Sequence, residues 1–124
     1  MTPLAIILVE ADPSVREAFQ AFAQALGFVL TVFETVDAAI AGARPLGTDI
    51  LIADLSADAD IRRLLAWSGA LGTRPATILL THQSPAMLER RLAEARDIKV
   101  LRKPVAAAEI LDALKAVTDT RGRA

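Results

Sequence analysis

Residues 4–33 read LAIILVEADPSVREAFQAFAQALGFVLTVF, and the order of events within this stretch decides the fold. It opens on an apolar run, LAIILV (4–9), that shows no polar alternation, the pattern of a strand buried on both faces. Asp12 and Pro13 then supply what a helix start needs: a side-chain acceptor for free amides, followed by a ring that needs no donor. Val15, Ala18, Phe19, Phe22 and Leu26 recur at three- and four-residue intervals, and Gly27 stands where a left-handed stop is wanted. FVLTVF (28–33) follows as a second, weaker strand with Phe28, Leu30 and Val32 on one face and Val29, Thr31 and Phe33 on the other. Two strands joined through a helix are parallel neighbours, because parallel pairs need a long crossover.

The same rhythm continues to the end of the chain. DILIA (49–53), ATILL (76–80) and IKVL (98–101) read as further buried strands. Between them lie helical stretches: VDAAIAGA (36–43) before an RPLG turn, IRRLLAWSGAL (61–71) before GTRP, and PAMLERRLAEAR (85–96), which opens on Ser84 and Pro85. Ile110, Leu111, Leu114 and Val117 mark a last helix, after which TDTRGRA (118–124) reads as a frayed tail. Strand and helix thus alternate five times. That order predicts an α/β fold, a doubly wound five-stranded parallel sheet with five helices on its two faces and right-handed crossovers. We expect one domain, residues 1–119, and a C-terminal tail, 120–124.

Composition narrows the function. A chain of 124 residues has room for one hydrophobic core, and 53% hydrophobic with 23% charged residues suits a packed fold rather than a disordered one. A formal net charge of -1 gives no electrostatic reason to bind nucleic acid or an anionic membrane. Without cysteine there is no disulfide framework, thiolate nucleophile or Cys-based zinc site. The apolar runs fall short of the roughly 18 residues a membrane helix needs, and the beginning has no basic region ahead of a long apolar segment. A cytoplasmic address is the expectation.

Ligands of an open parallel sheet bind outside the carboxyl ends of its strands. Those ends deliver Glu10, Asp54, Thr81 and Lys103. Two acids suit a hard divalent cation, a hydroxyl can bond a phosphoryl oxygen, an ammonium can balance its charge, and a carboxylate can accept the phosphoryl group. Each residue also has a plainer role open to it. Asp54 can cap the following helix, although Asp58 and Asp60 are better placed to do so. Thr81 can be an ordinary strand-end hydroxyl and Lys103 a solvated loop cation. His82, the only histidine, reads as an exposed loop residue, Trp67 as packing, and Arg90 with Glu94 as a weak pair on a solvated helix face.

The stretches ILVEADPSVRE, DILIADL, TILLTHQS and VLRKPV, in this order, resemble those of response-regulator receiver domains, and the resemblance covers essentially the whole chain. It implies a flavodoxin-like sheet of strand order 2-1-3-4-5. It implies a phosphoacceptor at Asp54, served by the phosphohistidine of a histidine kinase or phosphotransfer protein, in a signalling domain rather than an enzyme acting on other molecules. Thr81 would follow the phosphoryl group and Lys103 would contact it, with Lys103-Pro104 a candidate cis bond. Magnesium would be held by Glu10, Asp54 and the Ser56 backbone carbonyl. A downstream protein target would be met through the predicted helix 85–96, the fifth strand and the last helix.

The chain also departs from that pattern. The two adjacent acids usual after the first strand map onto Glu10 and Ala11, so one metal-contacting carboxylate is gone. Asp12 is not its replacement, because it reads as a helix cap. A weakened magnesium site is therefore expected. DLSADADIRR lacks the Met-Pro pair and glycine common after the phosphoacceptor; Val100 stands where many receivers carry an aromatic, and His82 where a small residue is usual. The alternative is a pseudo-receiver, an interaction module that works without phosphorylation. A hydrolase with Asp54 as nucleophile is disfavoured, since no second acid follows two residues later and no large cap segment exists.

Overall fold

The computed structural model describes residues 4–42, 47–55, 58–69, 75–81, 98–103 and 107–122. Five strands, β1 (Ala5–Val9), β2 (Val29–Phe33), β3 (Ile50–Asp54), β4 (Ala76–Thr81) and β5 (Ile98–Arg102), form one parallel sheet in the order β2-β1-β3-β4-β5. The helices among the described residues are α1 (Pro13–Leu26), α2 (Val36–Gly42), α3 (Asp58–Gly69) and α4 (Ala107–Gly122). This is the flavodoxin-like α/β architecture expected. The fifth expected helix, 85–96, lies outside the described residues, as do Ser56, His82 and Pro104.

Strand periodicity sorts the core into two layers. Ile7, Val9, Leu51, Ala53, Leu79 and Val100 pack with Val36 and Ala39 of α2 and Ile61, Leu64 and Leu65 of α3. Their neighbours in sequence, Ile6, Leu8, Ile50, Ile52, Ile78 and Leu80, pack on the opposite face with Phe19 of α1 and Ala113 and Leu114 of α4. The central strands therefore carry apolar residues on both faces for a physical reason: both of their faces are covered. The edge strands β2 and β5 leave Val29, Thr31, Lys99 and Arg102 exposed. Trp67 packs against the α2/α3 layer, as a packing residue should.

Local chemistry fixes the helix ends. Asp12 caps α1 by accepting from the Ser14 amide at 2.9 Å, Pro13 occupies the first turn, and Gly27 at φ 76° closes the helix with its amide bonded to the Ala23 carbonyl. Thr35 does the same for α2, its hydroxyl accepting from the Ala38 amide at 3.1 Å. Helix α3 begins at Asp58 and so takes Asp60, expected as a cap candidate, into its first turn. There the helix dipole favours an acid.

The α1 stripe differs from expectation at Ala18, which is exposed, and at its C-terminal end. Ala23 is buried where Leu26 was expected to be, and Leu26 is 45% exposed in the final turn and belongs to neither layer. Asp49, expected inside the third strand, instead stands just before it. Its carboxylate accepts from the Ala5 amide at 2.9 Å, its own amide bonds the Ala5 carbonyl, and its carbonyl accepts from the Ala76 amide. One residue thereby joins the starts of β1, β3 and β4. The last helix continues to Gly122, into the stretch read as a frayed tail, within the latitude usual at helix ends.

Candidate functional site

The carboxyl ends of β1, β3, β4 and β5 meet at one edge of the sheet. Asp54 and Thr81 are the last residues of their strands, whereas Glu10 and Lys103 follow theirs directly. Val9 pairs with Ala53, so the next step of the register sets Glu10 beside Asp54; on the other side Asp54 pairs with Leu80, one residue before Thr81. Lys103 is brought in by its backbone, whose amide donates to the Thr81 carbonyl at 2.7 Å.

Within this edge Lys103 Nζ forms an ion pair with Asp54 Oδ2, the side chains being only 21% and 15% exposed. Partial burial excludes competing water and strengthens the attraction relative to a surface pair. Thr81 is buried at the β4 end. Asp54 is thus engaged by a cation from the end of β5, across β4.

Glu10 is also buried, at 2% exposure. Its Oε1 accepts from the Asp12 amide at 3.1 Å, while Oε2 has no hydrogen-bond partner among the described residues. A buried carboxylate oxygen without a partner is costly, and a cation would relieve that cost. With Asp54 on the neighbouring strand it offers two carboxylates, and magnesium is an ion commonly held by one or two carboxylates, waters and phosphate oxygens. Among the described residues the set stops at two. Ala11 is exposed and brings no oxygen from its side chain, and among the described residues no group of three or more His, Cys, Asp or Glu could hold a metal ion. The proposed Ser56 carbonyl falls outside the described residues.

One feature was not anticipated from the sequence. Arg16, in the first turns of α1, donates from Nη1 to the carbonyls of Glu10 at 2.9 Å and Ala11 at 2.8 Å. Its six-residue reach back to Glu10 has no simple periodic signature. Val100, at the position where an aromatic is usual in the family resembled, is 5% exposed and packed in the α2/α3 layer. No helix among the described residues is long and apolar enough to cross a membrane.

Neither a family model nor a curated protein sequence matches the chain. Solved structures do. A response regulator receiver domain protein from Bacillus halodurans C-125 is 24% identical, with 94% of this chain and 97% of that one covered and a TM-score of 0.76. A CheY-like response regulator receiver domain protein from Methanospirillum hungatei JF-1 is 15% identical, covering 99% and 100% of the two chains with a TM-score of 0.79. One from Clostridium thermocellum is 14% identical, covering 96% and 97% with a TM-score of 0.81. Sheet order, layering and near-complete mutual coverage agree: the chain has the fold of response-regulator receiver domains.

Proposed function

We propose that this chain is a receiver that accepts a phosphoryl group on Asp54 from the phosphohistidine of a histidine kinase or phosphotransfer protein, and signals through contacts with a downstream protein. The observation carrying this reading is the part-buried Asp54–Lys103 ion pair at the carboxyl edge of the sheet, with Thr81 at the end of the adjoining strand. An Asp54 oxygen attacks phosphorus, the phosphorus–nitrogen bond of the donor breaks, and the imidazole leaves with the bonding electrons. An acyl phosphate results. The Lys103 ammonium then has a phosphoryl oxygen to neutralise instead of the free carboxylate, and the Thr81 hydroxyl has a phosphoryl oxygen to bond. Glu10 and Asp54, with the Ser56 carbonyl, are the residues that would hold magnesium, which when bound supplies further neutralisation of phosphoryl charge. Positioning and charge are the main demands of such a transfer.

The second reading, a pseudo-receiver that binds partners without being phosphorylated, draws on Ala11: the exposed alanine leaves the site two carboxylates where three are usual in the family resembled. Intact-mass spectrometry after incubation with a small phosphodonor and magnesium, and then with a phosphorylated histidine kinase, decides between them. A phosphate adduct on the parent chain that is absent from Asp54→Asn supports the phosphoacceptor. No adduct from either donor favours the interaction module.

A further inference from the structure

We propose that Arg16 is a positioning residue for Glu10, holding the segment after β1 so that the one remaining acid there presents its buried oxygen to a cation; this rests on the receiver reading above. Glu10 is anchored at three points besides its side chain's burial. Its amide donates to the Phe33 carbonyl at 2.9 Å, its carbonyl accepts from Arg16 Nη1, and its Oε1 accepts from the Asp12 amide. Asp12 is in turn held by its own cap bond to Ser14 and by the Arg16 amide, which donates to the Asp12 carbonyl at 3.0 Å. Arg16 also bonds the Ala11 carbonyl.

Of these ties only the Arg16 guanidinium spans both peptide groups preceding Asp12, and it does so from a helix that Asp12 itself starts. The segment is therefore closed on itself: helix start, arginine, carbonyls, carboxylate. Its product is a carboxylate with one oxygen committed to Asp12 and the other bare and buried. Ala11 brings no second carboxylate, so the geometry of Glu10 alone sets what this segment offers a cation. Outer-shell bonds of this kind orient ligands and influence metal affinity without touching the ion.

The test compares the full chain with Arg16→Met, which keeps the aliphatic stem and loses the donors, and Arg16→Lys, which keeps a charge and a donor. Asp49→Ala serves as a control, since it breaks a side-chain tie at the opposite end of the strands. Amide hydrogen exchange at Asp12, measured without metal, should speed several-fold in Arg16→Met and be partly restored in Arg16→Lys. Magnesium affinity, measured by calorimetric titration, should fall about tenfold in Arg16→Met while Asp49→Ala keeps the parental value. Unchanged Asp12 exchange in a folded Arg16→Met overturns the positioning role. So does a magnesium affinity that falls as much in Asp49→Ala as in Arg16→Met, because general destabilisation then explains it. A parent chain that shows no magnesium response, with the Asp12 effect intact, overturns the cation's part in the site and leaves the clamp on Glu10 standing; the mass experiment on Asp54 separately reports on the receiver reading.

Discussion

At the scale of single residues, three acids at or just after the ends of β1 and β3 have three different fates. Asp12 is spent on a helix amide, Glu10 is buried with one oxygen bare, and Asp54 faces an ammonium. Environment rather than residue type assigns the roles. Ala11 is the position where the charge balance is most easily changed, because it adjoins Glu10 and has an exposed side chain without charge. Adding an acid there by Ala11→Asp should tighten magnesium binding by roughly tenfold, since affinity for a hard cation rises with ligand charge. Calorimetric titration of the folded variant checks this, and an unchanged affinity would mean that position 11 does not face the cation. A parallel rise in the rate of adduct formation is expected if cation binding limits phosphorylation.

At the scale of elements, the start of α1 couples stability to the site. Asp12 is exposed yet satisfies an otherwise free helix amide, and its amide steadies Glu10. Asp12→Ala should cost about 1 kcal/mol of folding stability, the usual size of a lost cap, read as a shift of the urea midpoint with unchanged slope. The bond from the residue 12 amide to the Glu10 carboxylate survives that substitution, so exchange of this amide should be less affected than in Arg16→Met. The contrast separates loss of a cap from loss of the clamp. Between α2 and α3 an exposed ion pair joins Asp37 to Arg63, and the nearby carboxylate raises the guanidinium's proton affinity above its already high ordinary value. Arg63 stays charged throughout any accessible pH range, so this pair adds no switch on that side.

At the scale of the whole molecule, burial of the sheet's two faces sets the stability. Leu64 is fully buried between α3 and the sheet, whereas Leu26 is 45% exposed. Leu64→Ala should therefore cost about 3 kcal/mol through lost burial and the cavity left behind. Leu26→Ala, on the sequence pattern an equal member of a helix stripe, should stay within about 0.5 kcal/mol of the parent. Urea denaturation of both variants checks the difference. Comparable losses would show that the last turn of α1 is covered in solution. The same layering places the site: both faces are closed by helices, so polar groups meet at the sheet's edge, where the strands end.

What the sequence determined by itself was everything that depends on short-range order. Unbroken apolar runs such as ILIA mark strands covered on both faces, Asp12-Pro13 marks a helix start, Gly27 its end, and the alternation of strand and helix demands parallel crossovers. The acids and the lysine at the strand ends were readable in the same way, because a polar residue closing an apolar run must lie at an edge. Tertiary structure alone decided which of these groups meet. Lys103 reaches Asp54 across β4, 49 positions along the chain, and no local pattern encodes that approach. Nor does any local rule separate Leu26 from Ala23, or show that Asp49 joins three strands and Arg16 reaches back to Glu10. Spacing along a chain fixes which side of an element a residue occupies; what stands opposite that side is set only when distant segments pack.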